Sequence, residues 1–296
     1  MTIRKAAGTR RWLPSSSTLL LVCGLAGAAS GEQGEPIRVC ADPDNLPYSN
    51  RELQGFENKI AEVIAQELGA SLDYFWWPAQ MGLVRNTLGR DRCDVLISIP
   101  KGFDPVLWTK PYYRSTYMLA YRSDRKLGLR SLDDPALERL RIGVHVNTPP
   151  YDALADRGLA ENMVGYRLFF DPHDPDPSRR PEKVLQDVLS GAIDVAVAWG
   201  PMVGYFTRQH PSPALEMVPL GDDASEAMSY EFSMGVKKGN RELKTRLERA
   251  LDRREADVRR ILADYGVPTL PLKPPGESAE EKQAPPGSHK HENDDK

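Results

Sequence analysis

Three cysteines in 296 residues are too few for a disulfide-dense scaffold or a cysteine-rich metal module. The chain has no CxxC, no HExxH, no nucleophile elbow and no phosphate-cradling glycine loop. No residue pair declares acid–base chemistry, so the chain reads as a non-enzyme without catalytic residues. After residue 30 there is no apolar run long enough to cross a bilayer. Basic excess is lacking too. Removing residues 1–30 takes away four basic and no acidic residues, leaving 35 basic against 42 acidic, net −7. That balance disfavours nucleic acid and offers no polybasic membrane patch. It leaves room for a basic protein partner or a cationic ligand.

What is there begins with a leader pattern. Arg4, Lys5, Arg10 and Arg11 form a basic stretch, residues 19–25 a short apolar run, and Ala26-Gly27-Ala28 supplies small residues at cleavage spacing. This predicts a cleavable signal peptide over residues 1–30 and a soluble periplasmic chain. Arg10-Arg11 also resembles a twin-arginine signal, so the export route stays open. Cys23 lies inside the apolar run rather than at a lipidation position. Cys40 and Cys93 then remain, and an oxidising compartment favours pairing them in a bridge worth about 4 kcal/mol. Against this, parallel neighbouring strands would offset them beyond the roughly 7 Å limit between α-carbons. A disulfide and two buried thiols both remain open.

Strand and helix patterns alternate along the remainder. Residues 37–41 read as a strand, followed by turn chemistry in Asp42-Pro-Asp-Asn-Leu-Pro-Tyr48. Gly55 opens a helix whose Phe56, Ile60, Val63, Ile64 and Leu68 recur at helical spacing up to Gly69. An aromatic strand over 72–77 leads to a second helix opened by Pro78, with Met81, Val84 and Leu88 on one face. Residues 94–99 form the third strand. The pattern restarts after residue 125. Ser131 caps a short helix, 141–146 is a strand, and a helix runs from Pro149 to Gly158. Strands at 164–170, 194–199, 215–219 and 230–236 follow, with helices at 181–189 and 202–208 between them. One long charged helix covers 240–265, with Leu243, Leu247, Leu251, Val258 and Leu262 as its apolar stripe. Alternation of this kind predicts an α/β protein with mixed, mainly parallel sheets. Asp171-Pro-His-Asp-Pro-Asp-Pro177 is a surface loop, and residues 271–296 compose a disordered tail.

Several motifs together resemble the family 3 solute-binding proteins of ABC transporters. They are Cys40-Ala-Asp-Pro-Asp-Asn-Leu-Pro-Tyr48, Gly55-Phe-Glu57, Asp94-Val-Leu-Ile-Ser98, Thr109-Lys-Pro-Tyr-Tyr113, Ile142-Gly-Val144 and Gly191-Ala-Ile-Asp-Val195. The resemblance spans residues 36–268 and implies a type II periplasmic-binding-protein fold with two hinged lobes. Lobe 1 would take 36–120 and 225–268, and lobe 2 would take 121–224. Ligands would sit in the crevice at the carboxyl ends of the strands. Amino-acid binders of the family clamp the ligand carboxylate with an arginine after the third strand. Here that stretch is Ile99-Pro-Lys-Gly-Phe-Asp-Pro105. The family's aspartate for the α-amino group is replaced by Ala198-Trp199-Gly200-Pro201, and its stacking aromatic falls at Asn45. A zwitterion would lose several kcal/mol without these partners, which speaks against a standard amino-acid receptor. The missing arginine also speaks against a cyclohexadienyl-dehydratase-like enzyme.

A narrower match, through Pro111-Tyr-Tyr-Arg-Ser-Thr-Tyr117 and Asp194-Val-Ala-Val-Ala-Trp-Gly-Pro201, is similar to the quinoprotein dehydrogenase-associated, MoxJ/XoxJ-like branch. That branch implies an accessory role beside a periplasmic PQQ-dependent methanol dehydrogenase, with no cofactor or metal of its own. An acidic or aromatic surface would dock the enzyme. The alternative is a transporter receptor for a small ligand other than an amino acid. Cleft candidates are Asp42, Asn45, Tyr48, Ser98 and Lys101 on the first lobe, and His145, Asn147, Thr148, Tyr151 and Trp199 on the second.

Overall fold

A computed structural model describes residues 34–79, 82–169, 176–222 and 226–274. The leader, most of the Asp171–Pro177 loop, Met81 and residues 275–296 lie outside the described residues. In chain order the first half gives β1 (Gly34–Ala41), a hairpin of β2 (Asp44–Asn45) and β3 (Ser49–Asn50), α1 (Phe56–Leu68) and β4 (Ala70–Trp76). It continues with α2 (Leu83–Asn86), β5 (Val95–Pro100), β6 (Leu107–Trp108) and β7 (Tyr113–Arg122). Next come β8 (Ile142–His145), α3 (Pro149–Asp156), β9 (Met163–Tyr166), α4 (Lys183–Ser190), β10 (Val195–Trp199), α5 (Gly200–Gln209) and β11 (Leu215–Pro219). The chain returns through β12 (Ser229–Val236), α6 (Arg241–Arg253) and α7 (Glu255–Asp264).

The sheet order is β4-β1-β5-β12-β7-β10-β8-β9, with β11 also on β7 and β6 also on β12. Each wing is parallel: β4, β1 and β5 on one side, β10, β8 and β9 on the other. Antiparallel pairing gathers in the middle, where two strands serve both lobes. Residues Tyr113 to Thr116 of β7 pair with β12, while its later residues pair with β10 and β11. Both faces of each wing are covered, which is why the central strands carry apolar residues without alternation. Val195 and Val197 face one core beside Ile142, Val144 and Leu154. Ala196 and Ala198 face the other beside Val184, Leu185 and Phe206. In the first lobe α1, α6 and α7 cover Val39, Val95 and Ile97, and the opposite face buries Cys40, Leu88, Cys93 and Leu96.

Cys40 and Cys93 form a disulfide, with α-carbons 5.5 Å apart, inside the usual span for such bridges. Arg38 beside it makes a two-pronged pair with Asp94, Nη2 to Oδ1 at 2.6 Å and Nε to Oδ2 at 3.1 Å.

After α7 the chain crosses to the second lobe as a strap. The Ser115 hydroxyl donates to Pro268 O at 2.6 Å, and Leu270 bridges Arg114. Tyr265 stacks on Tyr205 of α5 with ring centres 6.1 Å apart. A Cβ on Gly204 would come within 1.8 Å of Gly266 O, so only glycine lets α5 and the strap meet. Residues 271–274, expected as the start of the tail, are part of this strap: Lys273 N–H donates to Glu231 Oε1 at 2.7 Å.

Three element expectations change. The long helix breaks at Arg254, whose φ of −109° and ψ of 18° end α6 and start α7. The apolar stripe has a seven-residue gap between Leu251 and Val258, and the break lets Val258, Ile261 and Leu262 turn onto α1. The helix after Pro78 shrinks to the single turn α2, because Gly82 enters it at a left-handed φ of 82°. Asp134 rather than Ser131 caps the short turn at Pro135–Arg139, accepting from Ala136 N–H at 3.0 Å.

Candidate functional site

The first-lobe rim is the turn between β1 and α1. Asp42 organises it: Oδ1 accepts from Asp44 N–H at 2.9 Å and Oδ2 from Ala79 N–H at 2.6 Å. Burial raises its carboxyl above the ordinary range, against the pull of those two donors. Asn45 pairs with Ser49 across the hairpin and stays partly exposed. Tyr48 lays its ring 5.2 Å from Phe56, and its hydroxyl lies beside the Trp199 side chain. The turn is also tied to the second lobe by Arg180, whose Nη2 lies 2.9 Å from Asp44 Oδ2.

Behind the rim a hydroxyl and a phenol are hydrogen-bonded to one another beside a buried carboxyl. The Tyr112 hydroxyl donates to Ile97 O at 2.9 Å and lies 2.9 Å from Ser98 Oγ. With its proton committed to a carbonyl, Tyr112 accepts from Ser98. The Glu57 carboxyl lies beside this pair. Burial pushes the Glu57 carboxyl up to about 7, with Asp42 adding and Ser98 opposing.

The folded protein therefore holds a proton that the unfolded chain releases from about pH 4.5 upward. Glu57's contribution to stability falls as pH rises from there to about 7. Glu57→Gln should flatten this segment of the profile and raise stability at pH 8 relative to the parent. Urea midpoints at pH 5 and pH 8 check it; equal slopes for the two proteins would remove Glu57 from the account.

Lys101 does not stand free at the rim. Its Nζ pairs with Glu231 Oε2 at 2.8 Å, beside the strap. On the second lobe His145 is 1% exposed at the end of β8. Its Nε2 donates to Pro181 O at 3.0 Å, burial lowers its pKa, and Nδ1 has no partner. Thr148 donates from its hydroxyl to His145 O at 2.6 Å, shaping the turn before α3. Asn147 is exposed at a left-handed φ of 59°. Tyr151 packs partly buried on the second-lobe core.

Trp199 meets both lobes. Its ring centre lies 5.0 Å from Tyr117 and 5.9 Å from Tyr230, and 5.7 Å from Phe232 of the first-lobe core. Phe232 stacks in turn on Tyr113 at 4.8 Å. Of the expected cleft residues, Tyr48 and Trp199 come together here, and Ser98 lies behind them. Lys101, His145 and Thr148 have structural partners instead. Glu57, Tyr112, Tyr117, Tyr230 and Phe232 were missed. The signal for Glu57 stood in Gly55-Phe-Glu57, but an acid in a helix's first turn is the commonest way to answer the helix dipole. Among the described residues no group of three metal-binding side chains gathers.

The family model for bacterial extracellular solute-binding proteins, family 3, matches residues 37–267. Protein MoxJ of Methylorubrum extorquens AM1 is 33% identical over 260 residues, 83% of this chain and 85% of that one. The crystal structure of MxaJ from Methlophaga aminisulfidivorans MPT superposes with a TM-score of 0.71 at 27% identity, covering 79% of this chain and all of that one. The periplasmic binding protein XoxJ from Methylobacterium extorquens AM1 superposes at 0.66 with 35% identity, covering 80% and 100%. The chain thus belongs to the bacterial extracellular solute-binding proteins of family 3, in their MoxJ/XoxJ-like branch.

Proposed function

We propose that this protein is a periplasmic accessory of a PQQ-dependent methanol dehydrogenase, exported by a leader over residues 1–30. It would bind the enzyme or assist its maturation on a scaffold inherited from solute receptors. One observation carries the reading: Trp199 stands between the lobes, where a receptor would close on its ligand, and is held there by Tyr48, Tyr117, Tyr230 and Phe232. In this reading the aromatic rings around Trp199 stand in place of a zwitterion's partners. The absent carboxylate-clamping arginine and amine-binding aspartate support the same conclusion. The mature chain is expected to co-purify with the dehydrogenase at low salt, or to raise the yield of active enzyme. Absence of a complex and of any effect on activity at micromolar concentrations counts against the role.

The Glu57–Ser98 pair favours a second reading, a receptor for a small polar ligand. Thermal-shift screening with alcohols, organic acids, quinone cofactors and metal ions separates the two. A ligand at 100 times its dissociation constant adds about 2.7 kcal/mol of stability.

A further inference from the structure

Among the described residues β4 ends the sheet, pairing with β1 alone. Trp77 N–H goes to Ala41 O. By strand alternation the outward-facing backbone groups belong to Leu72, Tyr74 and Trp76. Asp73 Oδ1 takes the Tyr74 N–H at 2.8 Å, and no strand among the described residues takes the others. An uncovered edge of this kind is a template for another strand. Its side chains are unusual for an edge. Tyr74, Phe75, Trp76 and Trp77 follow one another, and all four remain partly exposed.

The four rings stack as two pairs on opposite faces. Tyr74 and Trp76 lie 4.9 Å apart at 9°, and Phe75 and Trp77 lie 6.5 Å apart at 9°. Each pair is topped by an arginine: Arg51 sits 5.6 Å from the Trp76 ring and Arg92 6.0 Å from Phe75. Neither guanidinium, nor that of neighbouring Arg90, pairs with a carboxylate among the described residues. Stacked arginines are pre-positioned, so little freedom is lost when they take up an anion.

We propose that the β4 edge docks an extended segment of an acidic protein partner, two of whose neighbouring acidic residues reach Arg51 and Arg92. Neighbouring side chains of a strand point to opposite faces, so an adjacent acidic pair gives one carboxylate to each arginine. The charge argues against a second copy of this chain, since pairing β4 with β4 would bring like-charged arginines together. The inference rests on the accessory reading for the identity of the partner, the dehydrogenase, but not for the chemistry of the edge.

The test has two arms. Calorimetry measures dehydrogenase binding to the parent, to Arg51→Glu/Arg92→Glu and to Arg51→Lys/Arg92→Lys. The reversal should weaken binding about tenfold or more, the lysine pair less, with melting temperatures unchanged. Equal binding by parent and reversal overturns the surface while leaving the accessory role intact. In the second arm the peptide Ac-Thr-Val-Glu-Glu-Val-Thr-amide is titrated against isotope-labelled parent. Shifts of the Leu72 and Trp76 amides, absent with a Lys-Lys counterpart, support the edge. If the parent binds no dehydrogenase, the accessory reading fails and this peptide result alone decides the surface. No shift, or a self-association that survives the reversal, overturns it.

Discussion

Cys40→Ala/Cys93→Ala is expected to lower stability by about 4 kcal/mol. The bridge closes a separation of 53 residues, and a loop of that length gives this value in the chain-entropy model. Both sulfurs are buried, at 2% and 3% exposure, so truncation also leaves small voids beside Leu88 and Leu96 that add to the loss. Guanidinium unfolding of the parent with and without reductant, beside the double variant, separates the two terms. Reduced parent should lose most of the 4 kcal/mol and the variant slightly more. The denaturant slope should steepen as the unfolded chain expands. Coincident curves for oxidised and reduced parent would mean that the bridge does not constrain the unfolded chain.

Trp199→Ala should cost about 3 kcal/mol, at the low end for a large aromatic because the ring is only partly buried. The loss has two parts. Ring contacts with Tyr117, Tyr230 and Phe232 disappear, and the Tyr48 hydroxyl loses the indole beside it. Trp199→Phe keeps much of the first and removes the second, so it should cost nearer 1 kcal/mol beyond the change in ring size. Equilibrium unfolding of both variants measures this. The alanine variant should also show a larger radius by small-angle scattering, because the inter-lobe space loses its filling. An unchanged radius and a loss under 1 kcal/mol would make Trp199 a surface ring, and would remove the main support for a filled cleft.

The sequence made the secondary structure of the wings legible, because buried parallel strands are short apolar runs between strong punctuation. Asp94-Val-Leu-Ile-Ser98 and Asp194-Val-Ala-Val-Ala198 announce β5 and β10 in this way. Helix length was less legible. Charged residues fill both α6 and α7, and only the missing apolar position between Leu251 and Val258 marks the break. The strand-offset objection to Cys40–Cys93 rested on the two strands being parallel neighbours, which they are. Register places Cys40 opposite Leu96, and Cys93, at the turn before β5, still brings its α-carbon to 5.5 Å from that of Cys40. At the cleft, Tyr48, Ser98 and Trp199 were readable from their places at strand ends and turns. What composition does not encode is which of them face one another across the lobes. Phe232 and Tyr230 arrive from the returning strand more than thirty residues after Trp199, and periodicity within one element says nothing about such a meeting.

β7 has a consequence for how the molecule comes apart. A single strand donates its first residues to one lobe's sheet and its last to the other's, while the strap pins α5 to the end of α7. Neither half can melt without stripping a central strand from its neighbour. A fragment cut anywhere between the lobes would thus be left with an open, apolar seam, and heat should dissolve the whole molecule in one step rather than lobe by lobe.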